Sequence, residues 1–166
     1  MAVRSVLQYP HPALKRPAEP VGGVTDALRA LAGDLVDTMR ASPATVGLAA
    51  PQIGEAVRVF VLDVSGHRRA TTSQGLVVLF DPRADVSGTT QVLREGCLSV
   101  PHLTADVRRG TRATVVGLNP EGQPERHEME GFEARAALHE IDHLDGLLIL
   151  DRVDSSSDLF ARKIYR

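Results

Sequence analysis

With one cysteine, Cys97, in 166 residues, the chain can build no internal disulfide, which points to a reducing compartment. It has no excess of basic charge either. Nineteen Lys and Arg stand against 21 Asp and Glu, for a net charge of −2, so no electrostatic footprint for nucleic acid is present. The doublets Arg68-Arg69 and Arg108-Arg109 read as solvated surface. No apolar run approaches the roughly 18–20 residues of a membrane span. The opening residues Met1 to Leu7 lack the apolar centre of a signal peptide, so a cytoplasmic protein is expected. Repeats and low-complexity tracts are absent. What remains is ordinary globular composition, 43% hydrophobic and 24% charged, at a length suited to one domain spanning residues 1–166.

Periodicity along the chain predicts an α+β fold, mostly antiparallel strands around a central helix with a second helix near the N-terminus. Pro10 to Pro20 should be extended and irregular, because proline removes donors and restricts its predecessor. A first helix should start after Thr25 as N-cap, with Leu28, Leu31, Leu35 and Met39 facing the core. Thr45 to Gly54 fits neither period and reads as a loop with short extended pieces. Val57–Leu62 and Leu76–Phe80 read as strands. Thr111 to Leu118 and Glu125 to Met129 flank Asn119-Pro120-Glu121-Gly122, a hairpin turn by composition. Leu147 to Leu150 reads as a buried strand, and Ser155 to Arg166 as a short capped helix or a mobile tail.

The chemistry concentrates in His139-Glu140-Ile141-Asp142-His143. On a helix, positions i and i+4 lie on one face about 5–6 Å apart, so both imidazoles can reach one metal ion. Glu140 between them is placed to handle a proton on water. An HExxH can also be an exposed, solvated helix face. Here Ala134, Ala137, Leu138, Ile141 and Leu144 form an apolar stripe, and Gly146 stands where a C-terminal cap belongs, so the helix is expected inside. A buried histidine pair needs a partner.

A hydrolytic metal site usually has three protein ligands and an open position for water. The extended pattern HExxHxxGxxH fails at Ile149, and no glutamate follows His143 to act as a downstream ligand. The third ligand is therefore sought upstream, where Glu95-Gly96-Cys97-Leu98-Ser99-Val100-Pro101 carries the lone cysteine in a segment poor in regular-structure formers. By itself Cys97 would be a small buried hydrophobe. Beside an incomplete two-histidine site, ligation becomes the better reading, since a metal ion deprotonates the thiol.

Three stretches taken together, VGLAAPQIG (Val46 to Gly54), EGCLSVP (Glu95 to Pro101) and HEIDHLDG (His139 to Gly146), resemble the three motifs of the peptide deformylases, in order and separation. The resemblance runs from about His11 to about Asp151. It implies removal of the formyl group from N-terminal formylmethionine of new polypeptides, with release of formate. It also implies that Cys97, His139 and His143 hold the metal, that Glu140 is the proton-transfer base, and that Gln52 and the Leu98 N–H stabilise the oxyanion. Gly47 and Gly96 would let the substrate backbone approach, Val46 would pair with it as an added strand, and Val46, Phe132 and Ala136 would wall the methionine pocket. The implied ion is Fe²⁺ in the cell, with Zn²⁺, Ni²⁺ or Co²⁺ acceptable to the same donors. Formylmethionyl nascent peptides are the implied partners, and docking on the ribosome stays open. Of Glu95 and Asp142, one carboxylate is expected to pair with Arg109 and tie the cysteine loop to the helix.

The chain departs from the family pattern at Thr45, where a glycine is usual, at Leu138, where glutamine commonly precedes the first histidine, and after Pro101, where His102-Leu103-Thr104 lacks an arginine. A threonine at a left-handed backbone position would be strained. These departures keep two rivals in play: a deformylase-like protein that binds metal and peptide without turnover, and a zinc protease that cuts internal peptide bonds.

Overall fold

The first helix begins where a threonine can cap it. In this computed structural model, which describes residues 2–163, the Thr25 side chain accepts the Leu28 N–H and starts α1 (Asp26–Ala41). Leu35 and Met39 are buried, and Leu28 and Leu31 half-buried, against Leu48, Val59, Val61 and Phe80 of the sheet. Strands β1 (Gly47–Ala49), β2 (Val59–Leu62), β3 (Val77–Cys97), β4 (Val100–Leu118) and β5 (Pro124–Glu130) pair in chain order, every pair antiparallel. A short β6 (Leu159–Ala161) pairs with Leu103–Ala105 of β4, on the edge that β5 occupies further along from Arg112 to Leu118. Helix α2 (Gly131–Leu144) packs on the sheet through Ala134, Ala137, Leu138 and Leu144, meeting Leu62, Leu79, Val115 and Met129.

The α+β expectation, the first helix and the Asn119–Gly122 hairpin turn are all found. Four expectations need correction. The strands expected at Leu76–Phe80 and Thr111–Leu118 are parts of a ribbon of 21 and 19 residues, with Cys97 ending β3 rather than lying in an irregular segment. Residues 87–94 are all exposed, Val92 and Leu93 included, so the ribbon shows no buried alternation from which to read strand. Leu147–Leu150 is not a strand. Gly146, at φ 76°, reverses the chain after α2, with an ideal Cβ only 2.8 Å from the Lys15 carbonyl oxygen. The residues that follow bury Leu148 and Ile149 in a third cluster with Cys97, Val100, Ala105 and Val107 of β3 and β4, and form a 3-10 turn, Ile149–Asp151, that packs on the sheet without pairing to a strand. Pro12–Lys15 forms a 3-10 turn capped by the His11 ring rather than extended chain. The segment from Ser155 carries a capped 3-10 turn, Ser156–Asp158, and then β6; residues 164–166 lie outside the described residues. No helix among the described residues is long and apolar enough to cross a membrane.

Candidate metal centre and its cavity

Helix α2 is buried on nearly every side, so its polar side chains must find partners. Glu133 accepts from Thr72 Oγ1 at 2.8 Å and Gln74 N at 2.7 Å. Arg135 donates to Glu95 (2.7 Å) and to the carbonyls of Val107 (2.8 Å) and Gln91 (2.7 Å). Asp142 is held by Arg109 at 2.9 Å and by Arg152 at 2.7 Å. Glu140 Oε2 and His143 Nδ1, both buried, have no hydrogen-bond partner among the described residues. The unsatisfied polarity therefore gathers at the HExxH face.

Three donors converge there. One ligand atom each from Cys97, His139 and His143 lies within 4.8 Å of the others, with Cys97 Sγ 3.4 Å from His143 Nε2. The thiol arrives at the end of β3, and both imidazoles come from consecutive turns of α2. Glu95, two residues before the thiol, receives a hydrogen bond on Oε1 from His139 Nδ1 at 2.9 Å, which turns the other ring nitrogen toward Cys97. Arg109 of β4 clamps Glu95 with two bonds of 2.7 and 3.0 Å and reaches Asp142 with a third of 2.9 Å. Sequence reasoning expected one carboxylate on Arg109; both are there, and they tie β3 to α2.

The electrostatics follow from burial and these partners. Burial works against the Glu95 charge, but bonds from His139 and Arg109 outweigh it and hold the carboxyl well below the usual range. Burial likewise opposes a charged His139, yet Cys97 and Glu95 raise it well above its usual value. His143 is pushed well down by burial and by the positive His139 beside it. Glu140 is pushed up to about 7, chiefly by burial. One thiol and two imidazoles beside a carboxyl of that basicity fit a borderline-soft divalent ion with open coordination.

Gln52 is buried in the 3-10 turn after β1. Its Oε1 accepts the Ala49 N–H at 3.0 Å, which directs Nε2 toward Ser99 Oγ (3.1 Å) and Cys97 Sγ (3.7 Å). Ser99, fully buried in the β3–β4 turn, escaped the sequence reading although it lies two residues after the cysteine. Arg135 escaped too, since an arginine within an alanine-rich helix reads as solvated.

A cavity of about 680 Å³ opens over the centre. Its lining includes Val46, Gly47, Gln52, Gly96, Cys97, Leu98, Phe132, Ala136, His139 and Glu140, so it gathers every singled-out site residue except His143, which lies beneath. Phe132 stacks on His67 with centroids 4.1 Å apart. The space a Gly47 side chain would take is occupied by Glu140, whose Cγ and Oε1 lie 3.0 Å from an ideal Cβ. The Val46 carbonyl already accepts the Asp63 N–H at 2.7 Å. Thr45 is not strained: the left-handed residue of this loop is Ala44, at φ 56°. Leu138 is buried in the core beneath the helix.

Comparison with known proteins gives a consistent result. The family model described as polypeptide deformylase matches residues 3–158. A peptide deformylase of Acidothermus cellulolyticus is 43% identical over 168 aligned residues, covering 100% of this chain and 87% of that relative. Among solved structures, a peptide deformylase from Ehrlichia chaffeensis in complex with actinonin superposes with TM-score 0.87 at 32% identity, covering 95% of this chain and 92% of that one. A Met-Ala-Ser-bound peptide deformylase from Acinetobacter baumannii superposes with TM-score 0.82 at 30% identity, covering 92% and 99%.

Proposed function

The chain belongs to the polypeptide deformylase family, and from that premise we propose that it hydrolyses the N-terminal formamide of formylmethionyl peptides in the cytoplasm, releasing formate and a free amino terminus. The observation that carries the reading is the convergence of Cys97, His139 and His143 beside a buried Glu140 at the floor of a peptide-sized cavity. These three residues would hold one divalent ion, which when bound polarises a carbonyl and makes water acidic enough to ionise near neutral pH. Ferrous iron is the ion proposed for the cell, and the same donors accept Zn²⁺, Ni²⁺ or Co²⁺.

The protein's own groups supply the rest. Glu140, with its carboxyl pushed up to about 7 by burial, takes the proton of the attacking water and returns it to the departing amine. Oxygen charge developing on the formyl group is met by the Gln52 amide and the Leu98 N–H, two donors fixed before substrate arrives. Prepositioning of Gln52 rests on its bonds to Ala49 and Ser99. The methionine side chain packs among Val46, Phe132 and Ala136, and the substrate backbone runs between Val46-Gly47 and Gly96.

Formate release from formyl-Met-Ala-Ser by anaerobically prepared Fe²⁺ and Zn²⁺ forms tests this reading, with Glu140→Gln as control. The expected result is turnover that the substitution lowers by about 10²–10⁴-fold. No formate from either metal form, or equal rates with and without the carboxylate, would reject it.

A further inference from the structure

The cavity extends beyond the metal centre, and its outer rim is cationic. Arg68 and Arg69, on the loop between β2 and β3, enter from the Phe132 side, directly after the His67 that stacks on Phe132. Arg162 enters from the Gly96 side. Its backbone N–H is fixed to the His102 carbonyl at 3.0 Å, and its guanidinium lies 3.7–3.8 Å from where a Gly96 Cβ would stand. All three are exposed. None of their guanidinium groups has an ion pair or hydrogen bond among the described residues.

The other arginines lining the cavity, and Glu95, are engaged. Arg94 pairs with Asp106 at 2.6 Å and lies over the Phe160 ring, and Arg135 is bound to Glu95. Glu95 is saturated by Arg109, Arg135 and His139, and Glu140 lies on the floor. A chain of net charge −2 thus presents, among the described residues, three unpaired cations around one opening. Gly96 matters here because the substrate backbone, in the reading above, runs along it. Residues downstream of the formylmethionine pass next to Arg162 as they leave the cavity.

We infer that this rim is an anion-recognition subsite: Arg162, seconded by Arg68 and Arg69, selects formylated peptides that carry acidic side chains just after the methionine. The arginines leave the chemistry at the metal untouched and act on capture, through attraction of a carboxylate and repulsion of a lysine at the same position. The inference rests on the deformylase reading and assigns its substrate class.

The test uses three peptides with amidated C-termini, so that no terminal carboxylate intervenes: formyl-Met-Ala-Ser-amide, formyl-Met-Ala-Glu-amide and formyl-Met-Ala-Lys-amide. Formate release by the metal-loaded protein at low salt should favour the Glu over the Lys peptide by about tenfold in kcat/KM, carried by KM, and about 0.5 M salt should shrink that ratio. Arg162→Gln should bring the ratio toward unity, and Arg162→Glu should invert it. Turnover of the Ser peptide reports whether each variant is folded. Equal handling of the two charged peptides, a preference for lysine, or a ratio unmoved by both substitutions overturns the inference while leaving deformylation in place. Absence of formate from all three peptides overturns the deformylase reading and the subsite with it.

Discussion

Replacing Gly47 by alanine tests how closely the base is held. Gly47 pairs with Leu62 in β1, has no left-handed backbone, and so accepts a Cβ without backbone strain. The cost is local: the new methyl would stand 3.0 Å from Glu140 Cγ and Oε1 and 3.1 Å from Cδ. Carbon contacts relax to about 3.5–4.0 Å, so the Glu140 side chain must retreat by ~0.5–1 Å. Misplacement of a reacting group by about 1 Å can cost about 10²-fold in rate. We expect kcat for formyl-Met-Ala-Ser to fall by about 10–100-fold, read at saturating peptide because the methyl also borders the substrate path and raises KM, with metal content unchanged because no ligand is touched. The assay is formate release on metal-quantified protein, run for Gly47→Ala, Glu140→Gln and the double variant. If the methyl acts through the carboxylate, the double variant is no slower than Glu140→Gln alone. A Gly47→Ala enzyme within about twofold of the parent, or a double variant whose loss is the product of the two single losses, would refute the reasoning.

Four further outcomes follow from the buried charges and from the Gln52 amide with its partner. Arg109→Met strands oxygens of Glu95 and Asp142 in the interior; since Arg135 and Arg152 remain, the loss should lie at the lower end of the usual range, about 3 kcal/mol by urea denaturation, and a loss below about 1 kcal/mol would sink the clamp. Glu95 has its folded carboxyl below the unfolded value of about 4.3, so its contribution is present above that pH and is lost as pH falls through the folded value. Metal-free Glu95→Gln should therefore show a flatter stability curve below about pH 4.3 than the parent, and an identical acid limb would contradict the assignment. Gln52→Leu should lower kcat by about 10²–10³-fold at constant metal content. Ser99→Ala, which frees the amide of one partner, should give a smaller loss in kcat with KM unchanged; a change confined to KM would show that the hydroxyl does not position the amide.

What the sequence disclosed depended on whether a residue's role follows from its neighbours in the chain. His139, Glu140 and His143 were legible because one helix turn places them together, and the apolar stripe from Ala134 to Leu144 declared that helix buried. Thr25 and Gly146 were legible for the same reason: a cap acts on the residues beside it. The β3–β4 ribbon was not, because its exposed half carries no core-facing alternation and is held by cross-strand pairing from Arg83 to Glu95. Cys97 was identified through its motif while its surroundings were misjudged. The thiol is held by a strand whose far end lies twenty residues upstream, at Val77. Arg135, Ser99 and the Gly47–Glu140 contact were invisible for a further reason. Each meets a partner more than 25 residues away, and the residue types involved are commonest in roles that need no partner: a solvated arginine, a turn serine, a flexible glycine. Such pairings also set how precisely the site is built. Placing the ligands needs one helix and one strand end; holding the base and the amide within a fraction of an ångström needs β1, the β3–β4 turn and α2 packed together. A chain with the three motifs intact but that packing loosened would keep its metal and lose its rate, so metal content and kcat are expected to part company in variants at Gly47 and Ser99 and to fall together in variants at Cys97.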